Sequence, residues 1–143
     1  MKLLPAALII AALVQVSCQI FKIVYYSIKD RKLGLSYVTA TGGIPSSHSA
    51  FVTALSVTVG IRNGFTSDLF AVSAVFSLIV MYDAVRLRGI VQRQSRLLNR
   101  LTSKYHPREH ENLREMVGHT PVEIAAGVFV GGVISGVLAL WVF

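Results

Sequence analysis

Two histidines stand directly beside helix-start chemistry. In Pro45-Ser46-Ser47-His48 the proline presets the first helical turn and a serine oxygen can accept a hydrogen bond from an unpaired backbone N–H, which accounts for three residues and leaves His48 over. In Gly118-His119-Thr120-Pro121-Val122-Glu123, Thr120 at the N-cap, Pro121 at the first helical position and Glu123 three residues after the cap form a capping box, and His119 is left over. That box alone is a sufficient reason for Glu123. A helix N-terminus offers unpaired N–H groups and a positive dipole end, which together bind anions. Gly42 and Gly43 just upstream allow backbone to come close to a ligand.

Cations accompany the histidines. Gln15, Gln19, Lys22 and Lys29 recur at helical spacing on one slowly drifting face, and because polar groups at membrane depth are costly without partners that face is expected to look into the bundle or a wet cavity. Lys22 alone could snorkel to the interface. Asp83 and Arg86, one turn apart, predict an ion pair, with Arg88 beyond it. Imidazoles exchange protons near neutral pH and can act as nucleophiles. Two of them with several cations and two helix N-termini suit a phosphate group.

The elements that must position these residues are membrane helices. The chain is 53% hydrophobic and only 15% charged, with a mean hydropathy of +0.60, too apolar for an ordinary soluble domain. Its apolar residues fall in four runs, Leu3 to Tyr26, His48 to Ile61, Ser67 to Val85 and Pro121 to Phe143, and a bilayer takes roughly 20 helical residues to cross. The expectation is an all-α polytopic bundle in a single membrane domain over 1–143, with about four transmembrane helices near 3–28, 46–62, 67–104 and 120–142. Loops near 29–45 and 105–118 join them on the cytoplasmic side. The second run is short, about 22 Å, which recesses its Pro-Ser-Ser-His end near the lipid headgroups.

Charge supplies orientation. Lys22, Lys29, Arg31 and Lys32 surround the first loop, and eight further cations from Arg86 to Arg114 surround the third, whereas Arg62 alone marks the second. By the positive-inside rule the first and third loops are cytoplasmic, and so is the end carrying Lys22, His48, Arg88 and His119. Topology and attraction to anionic lipid account for the basic balance without a nucleic-acid partner. Ile90, Gln94, Leu97, Leu101 and Tyr105 recur at helical spacing beside Arg93, Arg96, Arg100 and Lys104, predicting a cytoplasmic extension of the third helix, or an interfacial helix, ending before Pro107. Cys18 is the one cysteine, so no internal disulfide forms. A lipoprotein signal ending at Cys18 is disfavoured by Gln15 and by the apolar run continuing to Tyr26.

Taken together these residues resemble the divergent type 2 phosphatidic acid phosphatase family, related to acid phosphatases and vanadium-dependent haloperoxidases. The resemblance is carried by Gln19, Lys22, the GGIPSSHSA block, Tyr82-Asp83-Ala84, Arg88, Gln94, Leu98-Asn99, and the GHTPVE block with Gly127 beyond it. Of the parent superfamily's three motifs, Pro45-Ser46-Ser47-His48 resembles P-S-G-H with Ser47 for glycine. His119-x3-Glu123 resembles the end of S-R-x5-H-x3-D with Glu for Asp, and Lys22-x6-Lys29 resembles K-x6-R-P with Lys for Arg and no proline. The third motif's arginine falls on Leu113; Arg114 is one place off, and Arg88 is the alternative. Arg86 and Gln92 stand where the divergent family is expected to carry glycine.

The resemblance implies a metal-independent lipid phosphatase of the bacterial inner membrane that needs no cofactor. His119 would be the nucleophile with Glu123 holding its other nitrogen, and His48 the acid and base. Lys22, Arg88, Ser46 and Ser47, with Lys29 and Arg114 as further candidates, would hold phosphate, supported by Gln19, Asp83 and Gln94. Phosphatidylglycerophosphate is the foremost substrate expectation, with phosphatidate or a polyprenyl phosphate or diphosphate as alternatives. A membrane protein that binds or transports an anionic ligand without catalysis is the contrasting class. Gly127-x3-Gly131 and Gly132-x3-Gly136 allow close helix approach, within the bundle or across a homodimer.

Overall fold

The computed structural model describes residues 5–31, 43–105, 112–115 and 117–142. Its described regular structure is entirely helical: α1 (Ala6–Asp30), α2 (Ser47–Asn63), α3 (Asp68–Val85), α4 (Leu87–Tyr105) and α5 (Pro121–Val142). Three stretches are long and apolar enough to cross a membrane, Ala6–Lys29, Asp68–Tyr105 and Pro121–Val142. The short helix α2, 17 residues or about 25 Å, is the centre of the bundle, packed against α1, α3 and α5. Most of the first loop, with Lys32 and Gly42, and the segment holding Pro107 and Arg108 lie outside the described residues.

Small residues explain why α2 can be central. Gly127, Gly131, Ser135 and Ala139 form the buried stripe of α5. A side chain at Gly127 would collide with the Ser46 carbonyl and the Ser49 hydroxyl, and one at Gly131 with the Ala50 carbonyl. These two helices therefore touch nearly backbone to backbone, as in membrane bundles where packing replaces the hydrophobic effect. On the α3 side, the Ser77 hydroxyl lies 2.8 Å from that of Ser56 and donates to the Val52 carbonyl at 3.0 Å. On the α1 side, Ala7, Ala11, Val14, Cys18 and Lys22 are buried at spacings of four or three, an inward stripe. The outward faces carry exposed Leu, Val, Ile and Phe, including Leu69, Val72, Phe76, Phe129 and Leu140, as lipid contact requires.

Two sequence expectations are corrected by this packing. The glutamine–lysine face of α1 does not point inward as a unit: Gln15 and Lys29 are exposed, Gln19 is half-buried, and only Lys22 is buried. The inward stripe follows the small residues instead, because they admit α2 closely. Asp83 pairs with Arg88 at 3.0 Å rather than with Arg86, since the helix is interrupted at Arg86 and the turn geometry behind a one-turn pair is lost there. The same interruption divides the long third stretch into α3 and α4.

Candidate functional site at one end of the bundle

Four elements meet at one end of the molecule. The start of α2 is tied to α5 by the Ser46 N–H donating to the Glu123 carbonyl at 3.0 Å, and the residue before α5 is tied to the end of α3 by the His119 N–H donating to the Ala84 carbonyl at 3.1 Å. Helix α1 joins through Lys22, whose ammonium donates to the Ser47 hydroxyl at 3.2 Å. Lys22 is 2% exposed, so its charge is directed into the site and not toward solvent. A lysine buried this fully is costly unless an anion or several dipoles answer it.

Both helix starts are capped, although Pro45 lies before the Ser46 cap and not in the first turn of α2. Ser46 accepts from the Ser49 N–H at 3.3 Å, which commits its hydroxyl oxygen to capping α2. At α5, the Glu123 N–H donates to Thr120 Oγ1 at 3.3 Å and the Thr120 N–H to Glu123 Oε2 at 3.0 Å, the reciprocal pair of a capping box. The same Glu123 Oε2 lies 3.1 Å from His119 Nδ1. Capping and histidine support are thus one arrangement, because the residue before the cap sits beside the third residue of the helix.

The tautomer of His119 follows. An ionised carboxylate only accepts hydrogen bonds, so Nδ1 donates to Glu123 and a neutral ring carries its lone pair on Nε2. That Nε2 is buried and makes no hydrogen bond within the described chain; His48 Nδ1 is in the same condition. The two rings lie edge to face with centroids 5.8 Å apart. The Lys22 ammonium and the Arg88 guanidinium both act electrostatically on both imidazoles. Burial pushes the His119 ring below its usual pKa range, with the Glu123 hydrogen bond and charge pulling the other way.

Lys22, Ser46, Ser47, His48, Asp83, Arg88, His119 and Glu123 are therefore gathered at one place. Lys29 is exposed with its ammonium over the Tyr26 ring, and Arg114 and Gln94 are exposed on the outside of the molecule. Gln19 is half-buried one turn from Lys22.

A cavity of about 250 Å³ opens beside His119, lined by Gly43, Gly89, Gln92, Arg96, Gly118, His119, Thr120 and Glu123. An apolar groove of about 350 Å³ runs between α1 and α5 from Pro45 and Cys18 past Phe21, Ala126 and Val130 to Ile134. Cys18 is one turn from Lys22 and Pro45 adjoins Ser46, so the groove begins where the polar cluster ends. Sequence reasoning missed Gln92 as a structural partner: its Oε1 accepts the Gly118 N–H at 2.9 Å. The signal was present, since Gly89, Gln92, Arg96 and Asn99 recur at spacings of three and four and so share one face of α4.

Comparison with known proteins places these residues in context. The family model for the divergent PAP2 family matches residues 4–134. YuiD of Bacillus subtilis (strain 168), described as an uncharacterized membrane protein, is 41% identical over 135 residues, covering 85% of each chain. No solved structure matches the chain.

Proposed function

We propose that this chain, which belongs to the divergent PAP2 family, hydrolyses a phosphomonoester carried by a membrane lipid, through a phosphohistidine on His119. The observation that carries the reading is the state of His119: Nδ1 is held by Glu123 at 3.1 Å while Nε2 is buried and unpartnered, facing a second imidazole in the same condition.

In the first step the Nε2 lone pair attacks phosphorus, the P–O bond to the lipid breaks, and His48 gives its proton to the departing alkoxide. The Nδ1 proton stays on the bond to Glu123, whose carboxylate stabilises the imidazolium that forms. In the second step His48 takes a proton from water, which attacks phosphorus and releases phosphate from His119. Lys22, Arg88, the Ser47 hydroxyl and the backbone N–H groups at the start of α2 answer the charge on the equatorial phosphoryl oxygens. Arg88 takes the place of the missing third-motif arginine, a role favoured by its electrostatic reach to both imidazoles and by the outward position of Arg114.

The groove between α1 and α5 supports a lipid substrate, because it supplies an apolar path for a hydrocarbon chain whose headgroup lies at Lys22 and Ser47. The loop charges favour the cytoplasmic leaflet for this end, which makes phosphatidylglycerophosphate the first substrate to test, with phosphatidate and polyprenyl phosphates beside it. The test is phosphate release by the purified protein in lipid nanodiscs, with glycerol 3-phosphate as the soluble control. Release from a lipid and not from the control is expected. Binding of these lipids with no release above the His119→Ala background would instead make the protein an anionic-lipid binder.

A further inference from the structure

The hydrogen bonds around Asn99 have no part in the reaction above, yet its side chain makes three of them to chain beyond α4. Asn99 lies on α4, 8% exposed. Its Nδ2 donates to the Leu113 carbonyl at 2.9 Å and to Glu115 Oε1 at 2.8 Å, and its Oδ1 accepts the Leu113 N–H at 2.9 Å. The carboxamide has two donor hydrogens, and both are used. Its orientation is fixed, because the Leu113 N–H can only donate and the Leu113 carbonyl can only accept. Arg96, one turn earlier on the same face, reaches the other Glu115 oxygen at 3.6 Å.

The chain that Asn99 grips ends at His119. From Leu113 it passes back along α4: the Gly118 N–H is held by Gln92, Gly118 packs so closely on Gly89 that an added Cβ would lie 2.9 Å from its Cα, and the His119 N–H is held by the Ala84 carbonyl. Ala84 at the end of α3 and Asn99 on α4 are fifteen residues apart, with the break at Arg86 between them, a path of about 22 Å at helical rise. Six residues separate Leu113 from His119, and they span about 20 Å only when extended. So short a link lets the anchor at Leu113 limit where His119 can lie.

We propose that Asn99 is a positioning residue for His119: at Leu113 and Glu115 it clamps against α4 the distal end of the strap that leads to Gly118 and His119, and so sets where His119 meets Glu123 and His48. The strap itself rests on the hydrogen bonds alone; its consequence for catalysis rests on the function proposed above. Asn99 touches neither the imidazoles nor the cavity beside them. Lys22, Ser47 and Arg88, which would hold phosphate, belong to α1, α2 and α4 and not to the strap. Loosening the clamp should consequently lower kcat and leave KM nearly alone, because a misplaced nucleophile slows the chemical step.

Two measurements test this on the full-length protein in nanodiscs. Asn99→Ala should accelerate amide hydrogen exchange at Leu113, Gly118 and His119, leave the amides of α2 and α5 protected, and lower kcat about 10- to 100-fold at little-changed KM. Asn99→Asp keeps the acceptor for Leu113 but sets a second carboxylate against Glu115, so it should fail in the same way. Glu115→Gln added to Asn99→Asp relieves the paired carboxylates but still leaves the Leu113 carbonyl without a donor, so it should recover only part of the lost kcat and protection. Unchanged exchange at Gly118 and His119 in Asn99→Ala, or a loss confined to KM, overturns the proposal. If the parent protein releases no phosphate, the catalytic reading fails, and the exchange arm still decides whether Asn99 holds the strap.

Discussion

His48 and His119 lie edge to face with ring centroids 5.8 Å apart, each keeping one buried ring nitrogen without a hydrogen bond in the described chain. Buried polar atoms are nearly always bonded, and an exception calls for an explanation such as a catalytic role or a bound water or ion. The spacing lets both rings reach one small tetrahedral group. What separates them is support: the His119 ring is held at Nδ1 by Glu123, whereas no such carboxylate is bonded to His48 among the described residues. Under the proposed function this difference favours opposite roles, His119 as a nucleophile with a fixed tautomer and His48 as the ring that gains and loses a proton.

His119→Ala should abolish phosphohistidine formation on every substrate. His48→Ala should slow lipid hydrolysis about 10²- to 10⁴-fold, the worth of general acid catalysis, yet retain activity on an aryl phosphate, whose leaving group departs without a proton. Steady-state rates on the two substrate types, with acid-labile phosphate trapped on the protein, read the difference. Equal loss on both substrates in His48→Ala would sink the assignment.

The pH profile carries a sign. Burial lowers the His119 pKa and Glu123 opposes that shift, while Lys22 and Arg88 add to it. The ring therefore remains neutral and nucleophilic below its ordinary value of 6.5. Glu123→Gln removes the groups that raise the pKa, so the acid limb of kcat/KM for an aryl phosphate should move to still lower pH than in the parent protein. The rate at neutral pH should fall, by analogy with other carboxylate-supported histidines by about 10⁴-fold. An acid limb displaced toward neutrality in this variant contradicts the arrangement.

The glycines of α5 divide by what they face. Gly127→Ala must push its Cβ against the Ser46 carbonyl and the Ser49 hydroxyl, an overpacking that costs about 1–3 kcal/mol and should lower the unfolding temperature in detergent. Gly136 has nothing within 4 Å, so Gly136→Ala should leave a monomer's stability nearly unchanged. If the open Gly132-x3-Gly136 edge joins two copies, Gly136→Leu should convert a detergent-corrected dimer mass to that of one 15.6 kDa chain. A parent protein of single-chain mass at all concentrations removes the dimer.

Sidedness links orientation to substrate. Cys18 is buried and is the one cysteine, so a Cys18→Ser background accepts single reporters at the exposed positions Asn63 and Ser103. If the basic end lies in the cytoplasm, as the positive-inside rule favours, an impermeant thiol reagent should label position 63 and spare position 103 in intact cells, with the reverse in inside-out vesicles. Labelling of position 103 from outside would move the site to the outer face and favour a polyprenyl diphosphate exposed there.

Much of this protein was legible before folding because its information is local. Apolar run length marks a membrane helix, and the Thr120–Glu123 box and Ser46 mark helix starts, all within a few residues of chain. The convergence of His48, His119, Lys22 and Arg88 on one end could be argued from helix direction and the family resemblance. Tertiary structure alone decided which polar residues turn inward. Lys22 is buried and Gln15 exposed because the small residues of α1 choose the contact with α2, and Asp83 takes Arg88 because the helix breaks at Arg86. It also decided that Asn99 and Gln92 hold the segment leading to His119. Their helical spacing showed that they share a face, but not what lies against it, because their partners come from chain that follows α4 and doubles back along it.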